Sequence, residues 1–199
     1  MDNPSHQELP SCWRAPDVGT LKANYDVASP AGRSSSTVAV VFRNCRGRLI
    51  DGKTKTCFTR SSLGWELFAI REAWFMACHL GLLAVDIKSD CRQAILLSVS
   101  ELVPPWEVSA LVEDIWSVAT EIAISFSWIP HGANCVAHTT AALASRGLLP
   151  CNWLVMPPYE LYSLLVTDSS SAALFMFMVD NKTHCFFVFI FFCKLLWDL

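Results

Sequence analysis

Four short segments of this chain each offer one side chain that could meet a cation. Asp26 lies in Asn24-Tyr25-Asp26, Glu66 in Trp65-Glu66, Asp90 in Lys88-Ser89-Asp90 and His138 in Asn134-Cys135-Val136-Ala137-His138. Carboxylates brought together from distant parts of a sequence repel one another unless cations bridge them. Two divalent ions so held clamp the attacking water and the leaving oxygen of an in-line phosphodiester displacement. Mg²⁺ wants oxygen ligands in octahedral geometry, whereas imidazole at the fourth position suits Mn²⁺ or Zn²⁺ better. Each residue alone has an ordinary reading. An acid on the polar face of a strand is commonly solvated, Glu66 in a first helical turn suits the helix dipole, and Asp90 could cap a helix that follows it. Only their joint register within a larger set of motifs lifts them above these readings. No serine or cysteine nucleophile has partners in place: Cys135 and His138 share a segment without a third triad member.

The elements that must position these residues follow from periodicity. Leu21–Ala28 alternates, with Leu21, Ala23, Tyr25 and Val27 on one face and Lys22, Asn24, Asp26 and Ala28 on the other, which predicts a half-buried strand. Thr37–Arg43 is a β-branched, apolar strand, the turn residues Asn44–Gly47 follow, and Arg48–Phe58 resumes as a third strand. Short turns between three strands imply an antiparallel meander. Trp65, Phe68, Ala69, Ala73, Met76 and Leu80 then recur at helical spacing behind the capping hydroxyls of Ser61-Ser62, until Gly81 stops the run. Val85–Ser89 and Ser125–Ile129 read as strands; Cys91–Val99, Trp106–Ile122 and Asn134–Ser145 read as helices. This order demands a mixed sheet with helices packed on it.

The 199 residues suffice for one domain and a tail. Residues 1–12 read as a disordered leader, 13–150 as the domain and 151–170 as a tail packed on its surface. Residues 171–199 read as a hydrophobic extension, such as sequence translated past a natural stop. Its apolar runs Ala172–Val179 and Cys185–Cys193 each fall short of the ~20 residues that span a bilayer, so no membrane anchor is expected. The net charge of −3 argues for no particular partner. Its distribution does: Arg33–Arg60 holds seven basic residues and one acid, a pattern that suits a face meeting phosphates. Nine cysteines, an odd number without a Cys-x-x-Cys pair, exclude a conventional zinc site and suit free thiols in a reducing cell interior, nuclear or cytoplasmic.

Five motifs in register resemble the ribonuclease H family, specifically its plant retroelement-derived branch. They are Trp13 through Ala28 against Trp-x-x-Pro-x-x-Gly-x-x-Lys-x-Asn-x-Asp-Gly-Ala, Arg43 through Gly47 against Arg-Asp-x-x-Gly, Trp65 through Ala73 against Ala-Glu-x-x-Ala-x-Arg-x-Ala, Lys88-Ser89-Asp90 against Glu-Ser-Asp, and Pro130 through His138 against Pro-Arg-x-x-Asn-x-x-Ala-Asp. Trp153, Pro157 and the run Leu161 to Asp168 fit the family's closing segment. The resemblance implies an α/β fold with a five-stranded mixed sheet, three antiparallel strands first, flanked by helices. It implies hydrolysis of the RNA strand of RNA–DNA hybrids by a monomer using Mg²⁺ (or Mn²⁺) and no small-molecule cofactor. Asp26, Glu66 and Asp90 would be the metal ligands, with His138 in the fourth catalytic position. Asn24, Arg43, Arg46, Arg48, His131 and Asn134 would contact nucleic acid, an RNA–DNA hybrid or a similar duplex. Three departures bear on activity: His138 replaces an acid, Val27 replaces a glycine beside Asp26, and His131 replaces an arginine near the scissile phosphate. The alternative is a binding module of the same ancestry that no longer cuts.

Overall fold

A computed structural model describes residues 12–30, 35–58, 61–99, 103–118 and 123–180. Strands β1 (Leu21–Ala28), β2 (Ser36–Arg43) and β3 (Leu49–Cys57) form an antiparallel meander. Helix α1 (Ser62–His79) carries the chain across to β4 (Ala84–Ser89), which lies parallel to β1. Helices α2 (Arg92–Val99) and α3 (Ser109–Val118) lead to β5 (Ala123–Trp128), parallel to β4. The sheet order is β3-β2-β1-β4-β5. This is the five-stranded mixed sheet, with three leading antiparallel strands, that the sequence predicts. Helices α4 (Cys135–Ser145) and α5 (Tyr159–Asp180) complete the chain of elements.

Local chemistry sets the boundaries. The Ser61 hydroxyl accepts from the Gly64 amide at 3.1 Å, capping the first turn of α1. Gly81, at φ +64°, reverses the chain after α1 in a conformation that costs glycine little. The predicted helix over Trp106–Ile122 starts later, at Ser109, because Trp106 sits 84% exposed in a preceding turn rather than on an apolar face. Residues 119–122 lie outside the described residues, as do residues 1–11 of the leader, Arg33, Arg60 and residues 181–199 of the extension.

Two apolar clusters sandwich the sheet. One packs Tyr25, Val40 and Phe42 against α1, α2 and α3. The other packs Val41 against Val136 and Ala137 of α4, together with Trp153 and Leu161. The face of β1 read as half-exposed is therefore covered, with Lys22 and Asp26 only 8% and 7% exposed and Asn24 fully buried. Alternation in β1 reports polarity but not solvent, because α4 covers its polar face. Residues 151–170 do more than lie on a surface: Leu161 is fully buried, and the indole of Trp153 fills the space where a Cβ on Gly52 would stand, 2.4 Å away. Among the described residues no helix is long and apolar enough to cross a membrane.

Candidate active site

The parallel pairing of β1 with β4 sets Lys22 beside Asp86 and Asn24 beside Lys88. With a period of two residues per face, the same register continued brings Asp26 and Asp90 side by side at the C-terminal ends of neighbouring strands. Glu66 joins them from the first turns of α1. The three acids sense one another. Burial, then the charges of Asp26 and Asp90, push the Glu66 carboxyl up to about 8. Burial, helped by Asp90, also raises Asp26 despite the hydrogen bond from His138. One Glu66 oxygen, Oε2, is buried without a hydrogen-bond partner. A buried carboxylate with an unused oxygen beside two like charges is a site that a divalent cation would relieve, so the residues present fit such an ion.

The two histidines hold the carboxylates by hydrogen bonds. His138 Nδ1 lies 2.7 Å from Asp26 Oδ2, and His131 Nδ1 lies 2.7 Å from Asp90 Oδ2. The two imidazoles meet edge to face with centroids 4.7 Å apart, each at least half exposed. Among the described residues no three His, Cys, Asp or Glu side chains already form a cage around one point. Asp26 and Asp90 are each turned into a histidine pair, while Glu66 feels the charges of both.

The expected nucleic-acid contacts divide sharply. Asn24, Arg43 and Asn134 are fully buried. Arg43 pairs with Asp168 at 2.5 Å, and Asn134 donates to Asp90 Oδ1 at 3.0 Å. Burial and these partners turn all three inward, away from solvent. Arg46 and Arg48 are exposed, but they sit in the turn beyond Arg43, whose partner in β1 is Lys22 rather than Asp26. Four residues of strand, roughly 13 Å, separate that end of the sheet from the acids. Only His131 of the expected set is both exposed and beside the carboxylates. Among the described residues the basic stretch is thus no continuous face. Lys53 and Lys55, both about half exposed, are held by Glu72 of α1 at 3.0 and 2.7 Å. This clamp went unread, although Glu72 lies inside the helix motif and β3 alternates toward α1. Trp13 and Asp168 also gain a role only in the fold, where Trp13 Nε1 donates to Asn24 and Asp168 pairs with Arg43, though both stand in the motifs.

The reverse transcriptase-like family model matches residues 24–144, more than half of the chain. The chain belongs to the reverse transcriptase-like family. No curated protein is similar enough in sequence to count as a relative. Solved structures share the fold of this reverse transcriptase-like chain at low identity. RNase H1 from Halobacterium salinarum NRC-1 superposes with a TM-score of 0.59 at 17% identity, covering 65% of this chain and 99% of that one. The N-terminal RNase H domain of a Mycobacterium tuberculosis protein gives 0.53 at 14%, covering 63% and 98%. LC11-RNase H1, solved in complex with an RNA/DNA hybrid, gives 0.53 at 14%, covering 60% and 91%. At such identities the likeness establishes the fold alone. In the reverse transcriptase-like match, all four candidate positions from Asp26 to His138 fall within the matched span.

Proposed function

We propose that this chain is a ribonuclease H-type endonuclease that hydrolyses the RNA strand of RNA–DNA hybrids, weakened by His138 in the fourth position. The observation that carries this reading is the coupled carboxylate group: Glu66, pushed up to about 8 by burial and by Asp26 and Asp90, keeps a buried oxygen free. Asp26, Glu66 and Asp90 would hold Mg²⁺ or Mn²⁺, which when bound supplies Lewis-acid activation at the scissile phosphate. The protein's own part is to keep these oxygens together and close to dry. His131, exposed beside Asp90, is placed to donate to a phosphate oxygen, and Lys53 and Lys55 offer charge at the edge of the meander. Hybrid shape and 2′-hydroxyl contacts would select the substrate. LC11-RNase H1, a fold neighbour solved with a hybrid, supports that choice of ligand. An odd number of cysteines without a Cys-x-x-Cys pair supports an intracellular setting, nuclear or cytoplasmic, and the reading takes the chain to act as a monomer of retroelement descent.

A second reading, a hybrid-binding module that does not cut, is favoured by one feature: Asp26 is hydrogen-bonded to His138 instead of standing free. Cleavage of a labelled RNA–DNA hybrid in Mg²⁺ and then Mn²⁺ separates the two. The nuclease reading expects slow cutting, faster in Mn²⁺, that is lost in Asp26→Asn and raised about tenfold or more in His138→Asp. Binding without cutting in the native chain, with cutting gained only by His138→Asp, establishes the second reading. Failure to bind hybrid at low salt removes both.

A further inference from the structure

Asn24 spends both ends of its amide inside the protein. Its Oδ1 accepts from Trp13 Nε1 at 3.0 Å and from Arg43 Nη2 at 3.3 Å, and its Nδ2 donates to Asn134 Oδ1 at 3.0 Å. Asn134 then donates from Nδ2 to the Tyr25 carbonyl at 2.9 Å and to Asp90 Oδ1 at 3.0 Å. Asn134 stands at the N-cap of α4, where an asparagine normally turns its oxygen to the helix amides; here it makes no such bond. At the far end, Arg43 lies with its guanidinium 3.9 Å from the Trp13 ring centroid and pairs with Asp168 of α5.

The direction of every bond in this chain is forced. Indole and guanidinium groups can only donate, so the Asn24 oxygen must face Trp13 and Arg43, and its NH₂ must face Asn134. The Asn134 oxygen must then accept, which aims its NH₂ at Tyr25 and Asp90. Neither amide can flip without placing two donors in contact. The chain thus ends in an N–H delivered to one oxygen of Asp90, leaving Oδ2 toward the open side where His131 sits.

We infer that Asp168, Arg43 and Asn24 are positioning residues that fix the carboxylate of Asp90 through Asn134, making α5 part of the active site although it lies outside the carboxylate cluster. The consequence for metal affinity rests on the proposed function; the orientation of the amides does not.

The test compares the native chain with the double variant Arg43→Met/Asp168→Leu, which removes the ion pair without burying a lone charge. Leu164→Ala, which loosens the packing of α5 but leaves the hydrogen bonds intact, serves as the structural control, and Asp168→Glu as the conservative replacement. Two readouts are used: the side-chain amide resonances of Asn24 and Asn134 in metal-free protein, and Mn²⁺ affinity by calorimetry. We expect the double variant to shift both amide resonances and to lose about tenfold in Mn²⁺ affinity. Asp168→Glu should recover most of that affinity, and Leu164→Ala should keep it at an equal or larger loss of Tm. Unchanged amide resonances in the folded double variant, or an equal affinity loss in Leu164→Ala, overturn the inference. If the native chain binds no Mn²⁺, the nuclease reading fails while the amide spectra still decide the orientation claim.

Discussion

Glu66 shows most plainly how single side chains set the chemistry here. Its carboxyl stands about 8 in the folded protein, from burial and then from Asp26 and Asp90, against an ordinary value of 4.5. A group whose folded value is raised gives its full stability below the unfolded value and loses it as pH rises toward the folded one. The metal-free protein should therefore lose stability between about pH 4.5 and 8, by up to about 1.4 kcal/mol for each pH unit crossed. Glu66→Gln should flatten that slope, which thermal melts at pH 5, 6, 7 and 8 would show; an unchanged slope would place Glu66 away from the other acids. Asp26, Glu66 and Asp90 stand out as candidates in the sequence because each falls in a motif of fixed spacing. The roles of Arg43 and Asn134 were misread because a cation or amide on a polar strand face or helix start looks the same whether solvent or another element covers it. Asp168, 125 positions away in sequence, turns Arg43 inward, and Asn24, Tyr25 and Asp90 do the same for Asn134.

At the scale of elements, β1 is the piece on which the site depends, since it carries Asn24 and Asp26 on one face and Tyr25 on the other. It lies in mid-sheet, between antiparallel β2 and parallel β4, in one of the few topologies that three antiparallel strands followed by strand-helix-strand crossovers leave. The cover on its second face was not readable. The closing segment has weak periodicity, and only contact shows that Trp153 lies on Gly52 of β3 and that Leu161 joins Val41 and Val136. Gly47, at φ +73°, likewise leaves room for Ser169 of α5. Trp153→Ala should cost about 3–5 kcal/mol by opening a cavity in this cluster. Gly52→Val should cost about 1–3 kcal/mol by forcing the indole aside. Urea unfolding measures both, and a loss under about 1 kcal/mol for either would mean that the second cluster contributes little.

For the whole molecule, the domain extends past the point where sequence texture changes. Truncation after residue 170 keeps Trp153, Leu161 and Asp168, and should leave a folded, more soluble protein. Truncation after residue 150 strips the second cluster and leaves Arg43 buried without its counter-charge, a loss of roughly 3–5 kcal/mol from the pair alone, and should yield a chain that does not fold cooperatively. Circular dichroism melts of the two fragments distinguish this from a tail that is merely appended. The proposed chemistry requires above all that the folded chain gather Asp26, Glu66 and Asp90 into one group that calls for a cation. A ¹³C NMR titration of the Glu66 carboxyl, without and with Mg²⁺, tests it most directly. The midpoint should lie far above the ordinary glutamate value in metal-free protein and fall sharply when Mg²⁺ is added. An ordinary midpoint that Mg²⁺ does not move would contradict it.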